Sequence, residues 1–129
     1  MSALRRQAQR RQIDFDFRFT EEGVWFTCDA QEINQMYTNL LTNALRYARS
    51  VITLECRAEH SEILLVVSDD GTGLSETDLP HIFERFYKGR GGQHGVRLSI
   101  VQSIVELYGG TISVKNKGGA RFEVRLPRR

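Results

Sequence analysis

Asn39-Leu40-Leu41-Thr42-Asn43-Ala44-Leu45-Arg46-Tyr47-Ala48 carries two patterns at once. Across residues 31–49 the apolar positions Ile33, Met36, Leu40, Leu41, Ala44, Leu45 and Ala48 recur at three and four, which predicts an amphipathic helix with one face in a core. Asn39, Asn43 and Tyr47 are each four apart and project from one side of that helix, with Arg46 beside them. A polar stripe therefore borders the apolar one. Two carboxamides on a partly buried helix face can offer oxygen ligands to a hard cation such as magnesium, which keeps several waters when it sits on phosphates. For the helix alone, ordinary solvated or hydrogen-bonded asparagines are the plainer reading.

Past the helix, residues 51–58 and 63–68 are β-branched and aliphatic runs separated by Glu59-His60-Ser61-Glu62, the pattern of an antiparallel hairpin. Asp69-Asp70-Gly71-Thr72-Gly73 closes the second run. Its glycines let backbone approach a ligand closely, and a carboxylate held there can accept a hydrogen bond from an exocyclic amine. A plain turn produces the same short motif. Ser75 with Asp78 three residues on predicts a short capped helix reaching about residue 85. Gly91-Gly92-Gln93-His94-Gly95 is a polar loop leading into a helix over 98–108, whose free N–H groups suit phosphate; by itself the loop reads equally as a linker. Gly109-Gly110 stops that helix, and residues 111–114 and 122–126 form closing strands around the Gly118-Gly119 turn.

Upstream, Ile13, Phe15, Phe17 and Phe19 alternate with Asp14, Asp16 and Arg18, a half-buried strand; residues 24–28 make a second, and Asp29 is placed to cap the long helix. Residues 1–11 are polar and basic, a tail or linker remnant, so the domain proper is assigned to 12–129. Strands and helices without regular βαβ alternation indicate an α+β fold: a two-layer sandwich, mixed sheet, about three helices on one face and the other face half solvated.

At 129 residues, 40% hydrophobic and 26% charged, the chain suits one globular domain. The net charge of +2 is small, and the basic runs at Arg5, Arg6, Arg10, Arg11 and at Arg125, Arg128, Arg129 read as solvated ends, so no nucleic-acid partner is expected. Cys28 and Cys56 lie far apart without a CxxC pair, which argues against a zinc site or a disulfide framework and fits a reducing cytoplasm. No apolar stretch reaches the roughly 18–20 residues that cross a bilayer, and the arginine-rich start has no apolar run behind it, so the piece is expected to be soluble.

Taken in order, these pieces form a recognisable series. The run 39–48 resembles the asparagine box of sensor histidine kinases; Asp69-Asp70-Gly71-Thr72-Gly73-Leu74 resembles their first glycine box, and residues 79–88 (Leu-Pro-His-Ile-Phe-Glu-Arg-Phe-Tyr-Lys) their phenylalanine box. Leu98-Ser99-Ile100-Val101 and Val105-Glu106-Leu107-Tyr108-Gly109-Gly110-Thr111-Ile112 are similar to the helix and strand after the second glycine box. Gly119-Ala120-Arg121-Phe122 through Leu126-Pro127 resembles the closing strand. The likeness covers about residues 12–127.

The resemblance implies the Bergerat ATP-binding fold, shared with ATPases of the gyrase and Hsp90 type, with ATP and magnesium as cofactors. It implies that Asp69 reads the adenine amine, Asn43 holds the metal and Asn39 supports the phosphates. Arg46 falls near the phosphates and Tyr47 against the nucleotide, with Gly71, Gly73 and Leu74 around the base. Phe83 and Phe86 would anchor a lid carrying Tyr87, Lys88 and Arg90, and are equally readable as core. His94, Gly95, Val96, Arg97, Leu98 and Ala120 take the places of further nucleotide contacts. In two places the chain departs from the family. Where Gly-x-Gly-Leu-Gly-Leu is usual it has Gln93-His94-Gly95-Val96-Arg97-Leu98, and Ala120 replaces a threonine near adenine. At Arg97 bulk and any positive-φ strain oppose closure of the phosphate cradle while the guanidinium attracts phosphate, and geometry is expected to win.

The implied activity is delivery of the γ-phosphoryl group to a histidine on a separate dimerisation domain absent from this chain, with a response regulator as indirect partner. The isolated domain is expected to be a monomer, and the setting cytoplasmic, within a membrane-bound sensor. None of His60, His81 or His94 sits in an acceptor motif. Two alternatives compete. One is a degenerate, non-catalytic module of the same fold that binds a partner or holds nucleotide weakly. The other is an ATPase or protein-serine kinase of the wider superfamily, against which Asn39 stands where those ATPases carry a glutamate.

Overall fold

The computed structural model describes residues 2–19, 30–58, 61–84 and 97–127. Among these the order is α1 (Ser2–Arg10), β1 (Asp14–Phe19), α2 (Ala30–Tyr47), β2 (Val51–Ala58), β3 (Glu62–Asp69), a 3-10 turn (Leu79–His81), α3 (Arg97–Leu107), β4 (Thr111–Asn116) and β5 (Ala120–Pro127). The five strands form one sheet in the order β1-β2-β3-β5-β4. β1 runs parallel to β2, in register from Asp14 opposite Val51, and the other pairings are antiparallel. The sheet is therefore mixed and the fold α+β, as the strand pattern predicts.

One apolar layer lies between sheet and helices. Met36, Leu40, Leu41, Ala44 and Leu45 of α2 and Leu98, Val101 and Val105 of α3 are buried with Ile52, Leu54, Ile63, Leu65, Val67, Phe122, Val124 and Leu126 of the sheet. Each large apolar side chain so buried contributes about 1.5–3 kcal/mol, so this layer is the main source of stability. On central β3 the alternate residues Leu64 and Val66 are buried as well, on the outer face. Val66 is flanked in the ladder by Glu55 and Glu123, and Leu64 by Arg57 and Arg125. Ion pairs Arg121–Glu55 (3.3 Å) and Lys115–Glu123 (3.1 Å) run over this face, whose long side chains bring aliphatic stems to cover the apolar pair. The half-solvated face of the sequence reading is thus closed at its centre.

Two local expectations are corrected. The basic N-terminal run, read as a solvated tail, is a helix: α1 docks through buried Ala8, Ile13 follows into the core, and Arg11 Nη2 donates to the Ala48 carbonyl at 3.1 Å. The capped helix expected from Ser75 does not form. The cap contact exists, Asp78 N donating to Ser75 Oγ at 3.0 Å, but only the 3-10 turn Leu79–His81 follows. Pro80 has no amide to give to a carbonyl four residues back and biases residue 79 away from helix, so propagation stops there. Residue 85, the expected end, lies outside the described residues, as do the expected strand 24–28 and the loop 88–94. Among the described residues no helix is long and apolar enough to cross a membrane.

Candidate functional site

α2 ends where β3 ends, and the junction is made by two adjacent aspartates with opposite surroundings. Asp70 turns to the exit of α2, where it accepts the amides of Arg49 (2.8 Å), Ser50 (2.9 Å) and Val51 (3.2 Å) and the Ser50 hydroxyl. Partial burial works against ionisation here, but the Ser50 hydroxyl and the three amides outweigh it and hold the carboxyl well below the usual carboxylate range. This capture of amides explains why α2 stops at Tyr47, one residue before the last apolar position of the series, Ala48.

Asp69 lies on the helix side of the sheet and is only 8% exposed. Burial pushes its carboxyl up, against the pull of the Gly71 and Ala120 amides. Both amides donate to Oδ1, at 2.8 and 3.4 Å. Oδ2 has no hydrogen-bond partner among the described residues and is not itself wholly buried, so an acceptor is left open to a group from outside. Gly71 approaches α2 so closely that a Cβ there would overlap the Tyr47 carbonyl oxygen. Gly73 has φ +80° and faces Asn116, whose side chain both accepts from Leu74 N (2.9 Å) and donates to Leu74 O (2.7 Å). The loop 71–74 is therefore pinned between α2 and the end of β4. A cavity of about 220 Å³ opens on it, lined by Tyr47, Thr72, Gly73, Leu74, Ser75 and Asp78.

Along α2 from this loop, Tyr47, Asn43 and Asn39 share one face and span about 12 Å at 1.5 Å per residue. Tyr47 is half-buried, which raises its phenol above the ordinary value. Asn39 and Asn43 are 7% and 6% exposed, unusual for asparagine and against the solvated reading. Asn39 Nδ2 donates to the Arg97 carbonyl at 3.1 Å and ties α2 to the start of α3. The Asn43 carboxamide has no partner among the described residues, so its oxygen is free to bind a cation or a water. Arg97 opens α3 and is not among the positive-φ residues; among described non-glycine residues only Gln12 is, at φ 58°. The backbone strain expected at Arg97 does not arise.

The structure thus gathers Asn39, Asn43, Arg46, Tyr47, Asp69, Gly71, Gly73, Leu74, Arg97 and the Ala120 amide around one side of α2. Leu98 is instead a core residue at 1% exposure, and Phe83 packs edge-on to Phe122, ring centroids 6.0 Å apart, which is the core reading of that phenylalanine. Phe86, Tyr87, Lys88, Arg90, His94, Gly95 and Val96 lie outside the described residues. Asn116 and Asp70 escaped the sequence reading. For Asp70 a signal existed, since neighbours at a strand end face opposite ways and a DD pair there serves two sides; for Asn116, an isolated polar residue before a glycine turn, none did.

Known proteins share this fold. The model of the histidine kinase-, DNA gyrase B- and HSP90-like ATPases matches residues 28–129. The chain is 36% identical over 134 aligned residues to the sensor protein SrrB of Staphylococcus aureus (strain MRSA252), covering 96% of this chain and 23% of that protein. It thus spans about a quarter of the length of the curated relatives it matches. The catalytic domain of the histidine kinase ThkA has the same fold, with a TM-score of 0.88 at 24% identity over 98% of this chain and 88% of that one. So does full-length ShkA, solved in complex with AMPPNP, with a TM-score of 0.86 at 21% identity over 98% of this chain and 28% of that one. With a model match over most of its length, the chain belongs to the histidine kinase-, DNA gyrase B- and HSP90-like ATPase family.

Proposed function

We propose that this domain binds ATP with magnesium and delivers the γ-phosphoryl group to a histidine on a separate dimerisation domain, as the catalytic part of a two-component sensor kinase. The observation that carries the reading is the half-satisfied Asp69 carboxylate at one end of a helix face whose Asn43 carboxamide also has no partner among the described residues. Asp69 Oδ2 accepts from the adenine amine beside Gly71, Gly73 and Leu74, and Tyr47 lies against the nucleotide. Asn39 orients the phosphate side through Arg97, and Asn43 offers its oxygen to the metal. Magnesium, when bound, neutralises charge on the phosphate oxygens; the domain's own share is positioning, which suits a transfer that needs little covalent help. ShkA, whose fold this chain shares, was solved in complex with AMPPNP, which supports nucleotide binding by this chain. The phosphoryl group then passes to a response regulator, in the cytoplasm, beneath a membrane-bound sensor; the isolated domain is a monomer.

Replacement of Asn43 by alanine tests the metal role. It removes a carboxamide that has no hydrogen bond among the described residues, so folding is retained, while magnesium-dependent binding of a fluorescent ATP analogue falls about tenfold, the worth of one contact to a charged group. Equal affinities for variant and parent, with and without magnesium, would take Asn43 out of the site. Arg97 at the head of α3 favours a second reading, a non-catalytic module of the same fold. Labelling of a supplied histidine-bearing dimerisation domain from radiolabelled ATP separates the two.

A further inference from the structure

On a flank of α2 other than that of Asn39 and Asn43, the helix and the β1 side of the sheet leave a cavity of about 230 Å³. Phe17 of β1, Leu54 of β2 and Tyr37 and Leu41 of α2 give it apolar walls, and Asn34, Thr38 and Glu55 are the polar groups of the described lining. Phe17 stays 47% exposed although its ring stacks on Phe15 with centroids 6.0 Å apart. Tyr37 is so far withdrawn from water that burial, with neighbouring Cys56 adding to it, pushes its phenol well above the ordinary value. Its hydroxyl nevertheless has no hydrogen-bond partner among the described residues and is not wholly enclosed; the side chains of Asn34 and Thr38 have no such partner either. A tyrosine hydroxyl so withdrawn normally finds a partner, so this one is left for a group that enters the cavity. Glu55, the one charged group of the described lining, is already paired with Arg121 at 3.3 Å and calls for no counter-charge. Apolar walls with a few open hydrogen-bonding groups are the composition of a small-molecule site rather than of a packing gap.

We propose that this cavity binds a small neutral aromatic molecule carrying a hydrogen-bond acceptor. The ring lies among Phe17, Tyr37, Leu41 and Leu54, and the acceptor takes the hydrogen bond of the Tyr37 hydroxyl. A cavity of about 150 Å³ holds a benzene ring, so this one has room for a single ring with a small substituent. The site stands apart from the ATP reading, since none of its residues serves the nucleotide there.

Titration of the isotope-labelled chain with benzamide, followed in the amide NMR spectrum, tests this. The expected result is saturable shifts at Phe17, Tyr37, Thr38 and Leu41, with the millimolar affinity usual for a ligand of this size. Toluene, which keeps the ring and lacks the acceptor, should bind at the same place about fivefold more weakly, the worth of one neutral hydrogen bond. Tyr37→Phe removes the hydroxyl and keeps the ring, so it should bring benzamide down to the level of toluene and leave toluene unchanged. Thr38→Phe, which fills part of the cavity from its lining, should weaken both; if that variant loses the dispersed spectrum of the parent, the Tyr37→Phe comparison decides alone. Shifts that do not saturate, or that saturate at residues elsewhere, would overturn the site. Equal benzamide affinity for the parent and Tyr37→Phe would overturn it as well, because the open hydroxyl is what selects the ligand.

Discussion

The two ends of the α2 polar face are built by different means. At the glycine-loop end the acceptor Asp69 is fixed by backbone hydrogen bonds: two amides on one of its oxygens, and a two-bond clasp between Asn116 and Leu74 on the loop beside it. At the arginine end Arg10 of α1, Arg11 just after it, Arg46 of α2 and Arg97 of α3 line one cavity on long side chains, with the Arg11–Ala48 and Asn39–Arg97 hydrogen bonds tying the segments together. Short hydrogen bonds in a buried place set position to tenths of an ångström and are little affected by salt; guanidiniums at an open cleft supply attraction with little geometry and are screened within a Debye length. On the nucleotide reading proposed above, discrimination between bases belongs to the loop end and dependence on ionic strength to the arginine end.

Substitution of Asp69 by asparagine puts this division under the greatest strain. It places an amide where the amine of adenine needs an acceptor, and about a 10- to 100-fold loss is expected for ATP, ADP and AMP alike, the value of a hydrogen bond to a charged group. A loss confined to ATP in a fluorescence titration would mean that Asp69 works on the phosphates, and the two ends would not be distinct. Asn116→Ala comes next. Two hydrogen bonds to the Leu74 backbone go, at about 1–2 kcal/mol in a urea denaturation, and AMP affinity falls with them because the loop is no longer held. Unchanged AMP affinity would show that the clasp is structural only.

Asp70→Asn has the smallest effect and the clearest signature. Near neutral pH the variant should be about 1 kcal/mol less stable, since the amides of Arg49, Ser50 and Val51 lose a charged acceptor. Because the folded carboxyl lies well below the ordinary value of about 3.9, Asp70 contributes its full stability above that value and loses it as pH falls toward the depressed folded one. The gap in thermal midpoint between parent and variant should narrow as the solution is acidified below about pH 4. A gap that is constant down to about pH 2 would contradict the assignment. Asp69, raised by burial, has the reverse sense: its ionisation costs stability as pH climbs from the ordinary value toward the folded one.

Legibility varied with the range of the interactions. Helices α2 and α3, strands β1 to β5 and the helix-side placement of Asp69 follow from periods of 3.6 and 2, because each pattern repeats over enough residues to be read locally: Leu65, Val67 and Asp69 alternate onto one face of β3. The 75–85 segment misled because its cap signal was genuine and Pro80 overrode it. The N-terminal helix was missed because an arginine-rich run with few apolar residues looks the same whether it is solvated or docked through Ala8.

By itself, the amino-acid order determined the α+β class, the helix that carries Asn39 and Asn43, and the series of motifs that places the chain in its ATPase family. Only the tertiary structure decided that Asp69 keeps one oxygen open, that Asn116 clasps Leu74 from 42 residues away, and that arginines of α1 and α3 meet across α2. The reason is physical. A repeating pattern of apolar residues reports burial against any partner, whereas a hydrogen bond or a shared cleft between distant segments exists only once packing has fixed which partner that is.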